Sequence, residues 1–119
     1  MSTTLSVLAT EESTYVINCE FRGVDDTLVT PTSVKWTLTD LSGTVINGRS
    51  QVAIAGGLLD TDLDIVLKGD DLAVSTVGNN AVRVLTVEAL YDETIDGVAY
   101  TDLPLNGATQ FTIENLIAI

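Results

Sequence analysis

The chain is 119 residues long, with 17 acidic residues against 5 basic ones, one cysteine and no histidine. A formal charge of −12 leaves few Lys or Arg side chains to neutralise phosphates, which argues against nucleic acid and anionic membranes as partners. The missing histidine removes imidazole acid–base catalysis, His-dependent triads and the usual zinc sites, and a lone Cys19 forms no disulfide within the chain.

This length suits a single domain over residues 1–119, and a hydrophobic content of 45% is enough to build a core. The opening "MSTTLSVLAT" has neither the basic segment nor the apolar run of a signal peptide. No stretch approaches the ~18 apolar residues of a membrane-spanning helix. The expectation is synthesis in the cytosol without export by a standard signal.

Hydropathy alternates with period two along almost the whole chain, the pattern of half-buried strands. "TLSVLAT" (4–10) opens the series. In "TYVINCEF" (14–21), Tyr15, Ile17, Cys19 and Phe21 share one face and Asn18 and Glu20 the other. "SVKWTLTD" (33–40) sets Val34, Trp36 and Leu38 together. "TVIN" (44–47) and "RSQVAIA" (49–55) are predicted as short strands. "DTDLDIVLK" (60–68) puts Leu63, Ile65 and Leu67 on one face. "KGDDLAVS" reads as one helical turn with Asp70 as its N-cap. "AVRVLTVEALY" (81–91) turns Leu85, Val87 and Ala89 inward, and "TQFTIENLIAI" (109–119) closes the chain. Turn signals fall between these runs, among them "LSGT", "INGR", "VGNN" and "DETIDG". The prediction is an all-β protein, an immunoglobulin-like β-sandwich of about seven to nine antiparallel strands, with a closed barrel as the other arrangement this spacing allows.

Two residues sharpen that reading. Cys19 on the second predicted strand and Trp36 on the third sit where an immunoglobulin-like sandwich places its first cysteine and its core tryptophan. Val87 or Ala89 stands where the partner cysteine would be. Cys19, Trp36 and Val87 are therefore assigned to the core, with Cys19 a buried thiol.

The stretch "DTDLDIVLKGDD" (60–71) is the nearest thing to a metal motif. Asp60, Asp62, Asp64 and Asp71 have the spacing of four calcium ligands in an EF-hand loop. The position that such a loop needs as glycine is Ile65, and it opens an apolar run. As a strand the same residues send Ile65 and Leu67 inward and the aspartates outward. The weak metal candidates are the turn residues Asp25, Asp26, Asp70 and Asp71, and calcium is the only cofactor they suggest. No phosphate-binding loop and no activated nucleophile is visible, so the expectation is a protein that is not an enzyme.

The segment "TPTSVKWTLTDLSGTVINGRSQVAI" (30–54) resembles small immunoglobulin-like structural proteins of tailed bacteriophages, and is similar to the Ig-like domain of phage baseplate upper proteins. The residues that carry the resemblance are Trp36, Leu38, Asp40, Gly43, Val45, Ile46 and Asn47. It implies a virion protein made in the host cytoplasm, a head decoration, head-fibre or other capsid-associated protein. Its partners would be other capsid or tail proteins, with self-association on the particle. A tail or baseplate location is the alternative. An adhesin or carbohydrate-binding module, calcium-dependent or not, is the reading from another class.

Two segments qualify as contact surfaces. Leu116, Ile117 and Ile119 crowd the C-terminal "NLIAI", which either docks on a partner or completes the last core strand. "DETIDGVAYTDLPLNG" (92–107) reads as a loop longer than a hairpin needs and carries Tyr100, Leu103 and Leu105.

Overall fold

The computed structural model describes residues 2–4, 8–74 and 80–116. Among these are eight strands: β1 (Ser2–Thr4), β2 (Ala9–Thr10), β3 (Thr14–Glu20), β4 (Ser33–Thr39), β5 (Val52–Ala53), β6 (Asp62–Lys68), β7 (Ala81–Ile95) and β8 (Val98–Glu114). The tail residues Ile117 and Ile119, and most of the "VGNN" turn signal, lie outside the described residues.

The strands form two sheets. The larger runs β1–β8–β7–β4–β5, with β2 also on β8, and the smaller is β3 paired with β6. The β3–β6, β4–β7 and β7–β8 pairs are antiparallel, as predicted. β1 and β2 depart from the prediction by running parallel to β8, through Ser2 opposite Ala108 and Ala9 opposite Ile113. Strands β1 and β2 thereby sit with β8 at one edge of the larger sheet.

The inward residues of the alternation meet between the sheets. Ile17 and Phe21 from β3 and its end, with Ile65 and Leu67 from β6, face Val34, Trp36 and Leu38 of β4, Leu85, Val87 and Ala89 of β7, and Phe111 and Ile113 of β8. The open-sandwich alternative is the one realised. Trp36 lies opposite Val87 in register, and both are buried.

The predicted strands at 44–47 and 49–55 shrink to a single bridge, Thr39 to Val45, and the two residues of β5. Asn47, Gly48 and Gln51 all take positive φ, which breaks an extended run. This segment hugs the edge of β4 through single hydrogen bonds, Ile46 N–H to Leu38 O and Ile54 N–H to Val34 O.

The molecule is long for its size. Its extents are 58 × 24 × 21 Å and its radius of gyration is 16.0 Å. A compact chain of this length would have a radius near ~13.5 Å. β7 and β8 produce the excess length, because both run on past β4, whose pairing with β7 ends at Ser33 opposite Leu90.

Candidate interaction surface

The 92–107 segment is not a loop. Its residues continue β7 and β8 as one hairpin, through Tyr91 opposite Leu103, Glu93 opposite Tyr100 and Ile95 opposite Val98. Asp96 and Gly97 close it with φ of 51° and 79°, the left-handed pair that a two-residue hairpin turn requires. The "DG" in the sequence is the signal for that turn, while Asp92, Glu93 and Asp96 weaken the apolar alternation beyond residue 91.

The pairing is irregular where the arm leaves the body. The register shifts between Tyr91 and Glu93, Asp102 takes a φ of 55°, and its N–H donates to Asp92 Oδ1 at 3.0 Å. This is a β-bulge held by a side chain. Pro104 lies two residues further in, opposite Leu90. The Leu90 carbonyl accepts the Thr32 N–H of the neighbouring segment at 2.7 Å, so its polar groups face away from β8. The Pro104 nitrogen consequently points to the outer edge of β8, where a missing N–H blocks strand addition.

The candidate contact residues fall in different places. Tyr100 is exposed on the arm, and Leu103 is half-buried at its base. Leu105 packs against the core and borders a cleft of about 480 Å³ between β3 and β8, lined also by Ile17, Cys19, Phe21, Leu85 and Val87. Leu116 is half-buried, and its N–H donates to Glu11 Oε1 at 2.9 Å.

Cys19 is half-buried rather than fully enclosed, because that cleft reaches it. Burial pushes its thiol up, and the negative charge of Asp64 adds to the shift. Less thiolate at neutral pH means slower chemistry. Iodoacetamide alkylation of the folded protein is expected to run about tenfold slower than in the urea-unfolded chain. Equal rates would show the thiol to be open.

Of the aspartates of "DTDLD", Asp62 and Asp64 lie on the outer face of β6, and Asp60 precedes the strand. Asn18 on β3 donates from Nδ2 to Asp62 at 3.1 Å and Asp64 at 2.9 Å, and Asp60 accepts the Thr61 N–H. Asp25 and Asp26 are exposed in the turn after β3, and Asp70 is exposed in a short 3-10 turn at Gly69–Leu72. Asp70 does not cap that turn. Asp71 does, accepting the Lys68 N–H at 3.1 Å, and it is fully buried.

Asp71 also accepts Arg49 Nε at 2.7 Å and Asn47 Nδ2 at 2.8 Å, so its oxygens are already engaged. The Arg49 guanidinium in turn lies 6.0 Å from the centre of the Trp36 ring. This cluster pins the irregular 44–54 segment to the end of β6. No local pattern announces it, since its members are 22 and 24 residues apart. Among the described residues, no group of three or more Cys, Asp or Glu is gathered as a metal site.

No match was found for this chain among protein families, curated proteins or solved structures.

Proposed function

We propose that this is a non-enzymatic structural protein of a bacteriophage virion, an immunoglobulin-like domain that works through protein–protein contact, most simply as a head decoration or other capsid-associated protein. The immunoglobulin-like reading is supported by the β3–β6 pair and the β4–β7–β8 order, which match the B–E and C–F–G pairings of such sandwiches. Trp36 across from Val87 and Cys19 on the facing sheet agree with it.

The observation that carries the contact role is the arm. A lone two-stranded hairpin is marginal in water, and this one runs on beyond Ser33 and Leu90, the last β4–β7 pair. Its Tyr100 is 45% exposed and Val98 52%. A projecting arm with exposed apolar side chains is what a docking element looks like.

The test is to sediment and wash particles from the native source and quantify this protein by mass spectrometry. Recovery in the pellet in hundreds of copies per particle is expected for a shell protein. A handful of copies would place it on the tail or baseplate. Absence from washed particles would overturn the virion reading.

A further inference from the structure

The core-facing side of β7 does not end where the core ends. Leu85, Val87, Ala89 and Tyr91 alternate inward and are buried, and Glu93 and Ile95 continue the same face outward. Leu103, Tyr100 and Val98 join that face from β8 as the register partners of Tyr91, Glu93 and Ile95. The base of the arm is covered by the 21–29 connection: a Cβ on Gly23 would lie 2.9 Å from Glu93 Oε1 and 3.1 Å from Val29. Beyond that, the apolar stripe is open.

Charge says what kind of surface would cover it. Arg83 is the last basic residue of the chain. Residues 91–105 hold Asp92, Glu93, Asp96 and Asp102 with no Lys or Arg among them. The ion pairs among the described residues, Arg22–Glu20 and Arg49–Asp71, involve none of the four. The outer end of the arm thus presents Ile95, Val98 and Tyr100 on one face, beyond Glu93 at its base, among carboxylates that no basic side chain of the arm offsets.

We propose that the arm seats, face down, on a basic surface of another virion protein, with Val98 and Tyr100 in an apolar pocket, Lys or Arg side chains of the partner meeting Asp96 at the tip, and the charge of Asp102, in the bulge opposite Asp92, adding to the attraction. This rests on the virion reading above. The β8 edge is blunted by the bulge and Pro104, and the exposed apolar side chains lie on the face, so the proposed contact uses the face. A second copy is the poorer occupant. Arm against arm would bring like charges together, in a chain of net charge −12. The inter-sheet cleft includes Glu20 and Asp26, and its Arg22 is already within 3.7 Å of Glu20.

The experiment places the photo-crosslinking residue benzoylphenylalanine at position 98 of the particle-bound protein. The expected product joins it to one other virion protein, at a peptide of net positive charge. Binding of the purified pair is then measured against salt. Tyr100→Ala is expected to weaken it by about tenfold. The double variant Asp96→Asn and Asp102→Asn should weaken it at low salt and flatten its salt dependence. Asn tolerates the positive φ at both positions, so the hairpin is kept. Should Tyr100→Ala unfold the arm by circular dichroism, Val98→Thr serves in its place.

A cross-link to a second copy of this chain, or to a neutral or acidic peptide, would overturn the proposal. So would a salt dependence unchanged in the double variant. A protein that sediments with particles but gives no cross-link from position 98 would sink the arm proposal and leave the virion role standing. A protein absent from particles would sink both.

Discussion

Phe111→Ala is expected to cost about 4 kcal/mol of folding stability. Phe111 is fully buried on β8, and its ring centre lies 5.0 Å from that of Tyr15 on β3. That contact joins the two sheets at the end of the sandwich where β1 and β2 also pair with β8. The smaller sheet has only β3 and β6, and neither pairs with a strand of the larger one, so side-chain packing carries most of the contact between the layers beside the Asp71 cluster. Removing a phenyl ring there forfeits its transfer energy and leaves a cavity that Tyr15, tied into β3, fills poorly. A domain of this size has about 5–15 kcal/mol in total, so the variant should melt many degrees lower. Phe111→Leu keeps most of the volume and should cost less than about 1.5 kcal/mol. Urea denaturation of the three proteins is the measurement. A loss below about 1.5 kcal/mol for the alanine variant would show that this contact does not hold the layers together.

The sandwich was legible because strands write themselves with period two. Ile17 and Phe21, Val34 to Leu38, and Leu85 to Ala89 each alternate with polar neighbours, and each faces inward. The pattern failed in two ways. Between residues 44 and 54 the side chains alternate but Asn47, Gly48 and Gln51 take positive φ, and backbone conformation overrides hydropathy there. Between 92 and 107 the reverse holds. The backbone stays extended while Asp92, Glu93 and Asp102 interrupt the apolar series, because this part of the hairpin has left the core and Asp92 and Asp102 keep their exposure to water. The arm was therefore hidden for the same reason that it is interesting. Its Tyr100 and Leu103 were readable as contact residues, but their placement on one face with Ile95 and Val98 depends on register, which the bulge at Thr101 and Asp102, opposite Asp92, resets by one residue.

Asp71 is the residue whose role most depends on distant parts of the chain, and its replacement is the second large effect expected. Breaking a buried ion pair by removing one partner commonly costs about 3–5 kcal/mol. Here the stranded partner is Arg49, whose side chain is 37% exposed and can regain water, so the expected loss for Asp71→Ala is about 2–3 kcal/mol. The Lys68 N–H and the Asn47 amide lose their acceptor as well. The pH dependence gives an independent reading. Burial works to raise the Asp71 carboxyl, but hydrogen bonds from Arg49, Asn47 and the Lys68 N–H, with the charge of Arg49, outweigh it and hold it below its ordinary value. A carboxyl lowered in the folded state stabilises fully above its unfolded pKa, about 3.9, and that stability is lost as the pH falls through the folded value. Below about pH 4 the parent protein should therefore lose stability faster than Asp71→Asn. Asp40, lowered mainly by its hydrogen bond from Ser42, titrates in both proteins and cancels from the difference. Parallel stability curves for the two proteins through this acid range would mean that Asp71 is not an ion-paired carboxylate in the folded state. The 44–54 segment would then be held to the sandwich by Ile46, Val52 and Ile54 packing on the core rather than by charge.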